Sequence, residues 1–267
     1  MLAVCATPIG NLDDVTLRVL KELAEADLVL CEDTRHTRRL LERHRIRARL
    51  RSYHEHNEAA RTAEVLPRLQ AGERIALVSD AGVPGISDPG ARLIGAALEA
   101  GVGVTVLPGA SAVDTALVAG GFAGERYQFL GFLPRGESAL TRAWDELGSW
   151  PWPAVAFESP RRLPATLRSL AATDPERTIA VCRELTKRYE QVVRGGAEEV
   201  AAAFAEPPKG EITLVIGSAP NAEPADLVAA AKEVAELVAA GLPRRKAAEV
   251  VARLTGLSRR RLYDMSL

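Results

Sequence analysis

IALVSDAGVPGISDPGARL (75–93) is the stretch on which the fold turns. Its first four residues, Ile75 to Val78, are uninterruptedly apolar, as a strand buried on both faces requires. A helical pattern begins near Ala91. Between the two, Ser79 to Gly90 hold three glycines, two prolines, two aspartates and two serines. Glycine lets backbone approach a ligand closely and proline fixes φ, so the loop is open and stiff at once. In an open α/β sheet, ligands sit beyond the carboxyl ends of the strands. There the loop would present N–H groups and carboxylates to a small polar molecule. An elaborate strand-to-helix turn accounts for the same composition equally well.

Upstream, the same alternation recurs. Leu2 to Ala6 reads as a strand that breaks at Thr7-Pro8-Ile9-Gly10-Asn11, and Asp14 or Thr16 is placed to cap a helix carrying Leu17, Leu20, Leu23 and Ala24. Asp27 to Cys31 is a second strand, ending in Glu32-Asp33-Thr34-Arg35. A helix through Leu40 and Leu41, a short strand near Leu50 to Tyr53 and a helix from Glu55 to Gln70 follow. Downstream come a helix near Ala91–Ala100, a strand from Val102 to Leu107, and an alanine-rich helix opened by Pro108-Gly109-Ala110-Ser111. Strands alternating with helices imply βαβ units and a mainly parallel sheet, so residues 1–115 are expected to form a first α/β domain.

Residues 116–220 read as a second, mixed α/β domain. Strand patterns lie at 127–133, 154–157, 178–182, 191–194 and 212–216, and the close spacing of the 178 and 191 strands suggests an antiparallel hairpin. Asn221 to Pro224 reads as a linker. Residues 225–267 carry three helical patterns, and the short glycine-containing turn 255–257 matches a helix-turn-helix. From 241 onward there are seven basic residues against Glu249 and Asp264. That excess favours a nucleic-acid contact over a merely solvated helical hairpin.

Composition narrows the class. The 267 residues are 47% apolar and 26% charged with a net charge of −1, which is globular and excludes a uniformly basic coat. Cys5, Cys31 and Cys182 form no CxxC pair, so neither a disulfide framework nor a zinc site is indicated. No signal-peptide pattern and no long apolar run occur, and a soluble cytoplasmic protein is expected. The dinucleotide GxGxxG, the P-loop, HExxH and GxSxG are all missing. His54 and His56 would point the same way on an extended segment, a weak metal-pair signal against the commoner use of histidine in capping. Eight arginines between Arg35 and Arg51 face only Glu42: a solvated helix face, or a phosphate track. The loops 7–11, 32–35, 79–90 and 108–111 each follow a strand and are expected to line one cleft, joined by 158–162 and 183–187.

Taken in order, ATPIGNLDD (6–14), CEDTR (31–35), YHEHNE (53–58), SDAGVPGISDPG (79–90), LPGASA (107–112), ESPRRL (158–163), RELTKRYE (183–190) and GEITLVIG (210–217) resemble the motifs of the ribosomal RNA small subunit methyltransferase I family, within the tetrapyrrole methylase superfamily. The resemblance spans nearly the whole chain. It implies two α/β domains with S-adenosylmethionine bound between them and a helical C-terminal domain. It also implies 2′-O-methylation of a cytidine in the small ribosomal subunit, and a homodimer. By the same resemblance Ser79, Asp80, Ala81, Gly82, Val83 and Ile86 would meet the donor, the last four largely through backbone. Ser111 and Ala112 would contact it from the next loop, Phe157, Glu184 and Thr213 from the second domain, and Pro8 would border the methyl group's path. Val83 departs from the family, which usually has threonine there, so no hydroxyl is available at that point.

Methyl transfer from a sulfonium is an in-line displacement that rests on positioning and needs no metal. The ribose hydroxyl needs help in losing its proton. Glu158, Glu184 and Lys187 are candidates for that task, or else for inter-domain salt bridges. Arg35, Arg38, Arg39, Arg161, Arg162, Arg244, Arg245, Arg259 and Arg260 are candidates for holding RNA phosphates. Two other readings fit parts of the chain: a tetrapyrrole or other small-molecule methyltransferase, which would leave the basic tail without a purpose, and a ligand-sensing nucleic-acid-binding regulator.

Overall fold

Three of the first domain's strands are buried at every residue: β1 (Leu2–Cys5), β2 (Leu28–Cys31) and β4 (Ile75–Val78). Such all-apolar strands have no solvent face, and the chain supplies helices for both sides. The computed structural model describes residues 1–219 and 225–266, so the expected linker at 221–224 lies outside the described residues. With β3 (Leu50–Ser52) and β5 (Val104–Leu107) at its edges, the first sheet is parallel throughout, in the order β3-β2-β4-β1-β5. On one face α1 (Leu17–Glu25) and α2 (Thr34–Arg43) bury Val19, Leu23, Leu40 and Leu41. On the other, α3 (Glu58–Gln70) and α4 (Ala91–Glu99) bury Val65, Leu69, Leu93 and Ala97. Of the two possible caps of α1, Thr16 serves: its Oγ1 accepts from the Val19 N–H at 3.2 Å. Asp14 belongs instead to a single 3₁₀ turn at Leu12–Asp14. His54 opens a turn rather than an extended segment, because the Asn57 N–H donates to its carbonyl at 2.9 Å.

Register decides where the loops emerge. Cys5 pairs with both Val78 and Leu107, and Cys31 pairs with Val78. The loops that follow β1, β2, β4 and β5 therefore leave the sheet at one level and along one edge.

From β5 the chain passes to the second sheet through α5 (Ala112–Ala119), whose Ala116 and Leu117 pack with Val155, Ala180 and Val215. This sheet comprises β6 (Gln128–Phe132), β7 (Ala154–Glu158), β8 (Thr178–Arg183), β9 (Gln191–Gly196) and β10 (Ile212–Ile216), in the order β6-β7-β10-β8-β9. Only β6 and β7 are parallel; the β8–β9 hairpin is antiparallel, as their spacing in the chain predicts. Its outer face is covered by α6 (Glu137–Gly148), α7 (Leu163–Thr173) and α8 (Ala197–Ala203), with Trp144, Leu167 and Val200 in that core. Its inner face packs with Ile9 of the first domain, so one cluster of apolar side chains is shared by both.

The C-terminal helices α9 (Ala225–Ala239), α10 (Arg244–Thr255) and α11 (Arg259–Met265) close around their own core of Leu227, Val234, Ala248, Val251 and Leu262. Gly256, at φ 73°, makes the turn between α10 and α11. Among the described residues no helix is long and apolar enough to cross a membrane.

Candidate functional site

Where the two sheets meet, a cavity of about 420 Å³ opens. The first domain contributes Asp80, Ala81, Gly82, Val83, Ile86 and Asp88 from the loop after β4, and Ser111 and Ala112 from the start of α5. The second contributes Phe157, Glu158, Thr213 and Cys182. Phe157, Thr213 and Cys182 stand in one row across β7, β10 and β8, because Thr213 is registered against both of the others. Nine of the residues expected at the donor thus meet in one cavity: Asp80, Ala81, Gly82, Val83, Ile86, Ser111, Ala112, Phe157 and Thr213.

The glycine-rich loop is held from behind. Thr7 and Gly82 exchange both backbone hydrogen bonds, at 2.8 and 3.0 Å. The buried Ser79 hydroxyl donates to the carbonyls of Ala81 and Gly82 at 3.2 and 3.3 Å, and the Thr7 hydroxyl to the Ser79 carbonyl at 3.0 Å. Gly82 sits at φ 76°, and a Cβ placed there would make an ordinary contact with Ala110 O at 3.9 Å. A side chain at this cavity-lining position would meet no clash but would strain the backbone. Ser79 supports the loop without lining the cavity, and Pro8 is buried and likewise outside the lining, while its neighbour Ile9 lines it.

One end of the cavity is acidic. Burial, together with Glu32 and Asp80, pushes Asp88 up to about 6 against the pull of the Ser79 hydroxyl. Burial and the Asp80 charge raise Glu32 in turn. Asp80 Oδ1 accepts from the Asp33 N–H at 3.1 Å, which ties the loops after β2 and β4 together. The second domain adds aromatic lining: Phe132 and Phe157 border the cavity with their rings 5.6 Å apart, and Phe129 stands behind the lining, 5.1 Å from Phe157, all edge to face.

The three residues considered for proton removal are differently placed. Glu158 lines the cavity, but its Oε1 accepts from the Ser159 N–H at 2.6 Å and its Oε2 from the Thr166 hydroxyl at 2.6 Å, with Arg162 Nη2 at 3.2 Å. It is the anchor for the start of α7. Glu184 and Lys187 lie outside the cavity lining, paired with each other at 2.9 Å. Burial opposes ionisation of both, and their hydrogen bonds with each other and with Glu211 outweigh it, lowering Glu184 and raising Lys187.

The candidate RNA arginines are scattered over the surface. Arg35, Arg38 and Arg39 are exposed on α2, with Arg35 forked onto Asp33 at 2.7 Å and holding that carboxyl well below its usual range. Arg161 is exposed, whereas Arg162 donates to the carbonyls of Leu133 and Pro134 at 3.0 and 2.6 Å. Arg245, Arg259 and Arg260 are exposed on the C-terminal helices; Arg244 is half-buried and bonded to the Ser266 carbonyl. His54 and His56 have their rings 6.0 Å apart, and Asn57 Nδ2 lies 3.0 Å from His54 Nε2. Among the described residues no group of three or more His, Cys, Asp or Glu is arranged to hold a metal ion. All three cysteines are free and buried, and burial pushes Cys5 and Cys182 up to about 12.

Among the cavity residues without a role in the sequence motifs are Asp88, Ile9 and Phe132. Asp88 sat in the quoted loop without a role, Ile9 was one residue past the proline singled out, and Phe132 carried only a strand pattern. A signal existed for the first two, in the loops after β4 and β1.

The architecture is that of the tetrapyrrole (corrin/porphyrin) methylases, whose family model matches residues 1–201, while that of the RsmI C-terminal HTH domain matches 225–267. Solved structures agree at the level of fold. The methyltransferase CobJ superposes with a TM-score of 0.63 at 20% identity, over 82% of this chain and 94% of that one. A uroporphyrin-III C-methyl transferase from Thermus thermophilus complexed with S-adenyl homocysteine gives 0.57 at 17%, over 80% and 96%. Sequence relatives are more specific. "Ribosomal RNA small subunit methyltransferase I" of Synechocystis is 44% identical over 271 residues, covering 100% of this chain and 97% of that protein. Its namesake from Mycobacterium bovis is 46% identical over 268 residues, covering 98% and 93%. The chain belongs to the ribosomal RNA small subunit methyltransferase I family.

Proposed function

We propose that this protein uses S-adenosylmethionine to methylate the ribose 2′-oxygen of a cytidine in small-subunit ribosomal RNA, acting in the cytoplasm as a homodimer. The observation that carries the donor reading is the cavity between the sheets, with its aromatic and apolar walls, its acidic end and its backbone-rich loop. A purine suits a wall of edge-to-face rings, and a ligand with a sulfonium and an ammonium suits an end where Glu32, Asp80 and Asp88 converge. Gly82, at a positive φ, lets the loop present bare backbone to this cavity.

The donor supplies an activated methyl group. What remains for this chain is orientation, exclusion of water and removal of the ribose proton. Asp88 is the cavity carboxylate matched to the last task, since a proton acceptor works best with a pKa near the working pH. Glu158 is spent on α7, so we assign it to architecture. The valine at 83 costs nothing essential in this account, because the contacts expected there are made by backbone.

The acceptor reading rests on family membership and on the basic C-terminal helices, which a small acceptor would leave without use. Arg245, Arg259 and Arg260 on those helices, and Arg35, Arg38 and Arg39 on α2, are the exposed cations we assign to RNA phosphates; Arg162 is engaged elsewhere. The 2′-hydroxyl is itself the group that distinguishes RNA from DNA. Calorimetry with S-adenosylhomocysteine tests the donor site. Ala112→Leu, which extends a side chain into the cavity, should weaken binding at least about tenfold with little change in Tm. Unchanged affinity would place the donor elsewhere. Sedimentation equilibrium tests the dimer.

A further inference from the structure

The two domains also meet at a join next to the cavity-lining residues Ile9 and Leu185. After β8 the chain turns through Glu184 at φ 53° and Thr186 at φ 65°, both in the left-handed region that non-glycine residues occupy only under constraint. The constraint is visible. The Glu184 N–H donates to the Glu211 carbonyl at 3.0 Å, and Glu184 Oε1 accepts from the Glu211 N–H at 3.0 Å and from Lys187 Nζ at 2.9 Å. Lys187 Nζ also meets Glu211 Oε1 at 3.0 Å, and the Thr186 N–H donates to Glu190 Oε2 at 2.6 Å. A turn held in this way sends Leu185 into the cavity and directs the Thr186 hydroxyl at the first domain, where it accepts from the Asn11 N–H at 3.0 Å.

The first domain is shaped to receive it. A Cβ on Gly10 would lie 2.5 Å from Lys187 Cγ, 2.7 Å from Thr186 Oγ1 and 2.8 Å from the Leu185 carbonyl oxygen. The lysine stem could swing aside; the carbonyl could move only with the whole turn. From Gly10 the connection runs through Ile9 to Thr7, which is cross-bonded to Gly82 in the loop after β4. Two residues of the cavity lining, Ile9 and Leu185, thus flank this one contact between domains.

We propose that the turn Glu184–Lys187 is an inter-domain clasp, seated on Gly10 and Asn11, that fixes this part of the cavity lining and so sets the cavity's affinity for the methyl donor. Glu184, Thr186 and Lys187 are then positioning residues that do not touch the reacting atoms. Lys187 fits this role, since two carboxylates occupy its ammonium. The proposal rests on the cavity's being the donor site.

Full-length Thr186→Val, Gly10→Ala, Lys187→Met and Lys187→Arg test it by S-adenosylhomocysteine calorimetry, Tm, and turnover against pH at saturating donor. Thr186→Val removes only the acceptor for the Asn11 N–H and should weaken binding about tenfold; Gly10→Ala, which must separate the domains, should cost more. Lys187→Met should weaken binding comparably, and Lys187→Arg, which keeps the ion pairs, should restore it to within about threefold. Turnover at saturating donor and its pH profile should match wild type in all folded variants. Donor affinity within about twofold of wild type in both Thr186→Val and Gly10→Ala would overturn the clasp alone. So would a Lys187→Met protein that binds donor normally but loses a limb of its pH profile. A wild-type protein that does not bind S-adenosylhomocysteine would overturn the donor site and the clasp together.

Discussion

At the scale of single residues, Asp88 carries the sharpest consequence. Its carboxyl is raised to about 6 from an ordinary 3.8, so the folded state holds its proton more tightly than the unfolded chain does. The stability associated with that proton is complete below 3.8 and is lost as pH rises through about 6. Asp88→Asn, which needs no such proton, should therefore stabilise the protein at neutral pH by about 1 kcal/mol, allowing for partial exposure, and leave it unchanged below about pH 4. Thermal melts at the two pH values check this. The same variant should lose about 10²-fold in turnover. A residue that is costly to the fold and needed for the reaction is the trade-off expected of a functional site.

At the scale of elements, Glu158, the last residue of β7, serves to anchor α7. Its two oxygens hold the Ser159 N–H and the Thr166 hydroxyl, so Glu158→Ala should cost about 2 kcal/mol by orphaning buried donors. Urea unfolding measures that cost. A general base would show the opposite pattern, with turnover falling 10²-fold or more and stability unchanged. The buried Glu22 of α1 offers a second measurement. It accepts from Arg74 at 2.7 and 2.6 Å, and Arg74→Met would strand its charge at a cost of about 3 kcal/mol. These elements also show what a sequence can reveal. Fully apolar strands such as 75–78 declare themselves, and so do loops rich in glycine, proline and aspartate that follow them. Glu158 at a strand end looks like chemistry until Thr166, eight positions on, is seen beside it. Gly10 and Lys187 are 177 positions apart, and nothing local in either segment foretells their contact. The packing of α5 on the second sheet is equally hidden, because an alanine-rich helix presents no single apolar stripe.

At the scale of the whole molecule, the described residues build two α/β domains that share a cavity, and a basic helical unit with its own core. Deleting residues 225–267 should leave S-adenosylhomocysteine affinity within about twofold of wild type. It should also lower RNA-substrate use and flatten its dependence on salt, since each lost phosphate contact removes close to one unit of slope. Equal loss of donor affinity would make the tail part of the catalytic fold.

On the function proposed, the cavity delivers a methyl group to ribosomal RNA. Labelled S-adenosylmethionine, supplied with small ribosomal subunits, naked ribosomal RNA or a tetrapyrrole precursor, tests it most directly, followed by nuclease mapping of any labelled ribose. We predict label on a cytidine 2′-oxygen of the small-subunit RNA and none on the porphyrinoid. Label in the porphyrinoid, or none in any RNA sample, would contradict the account.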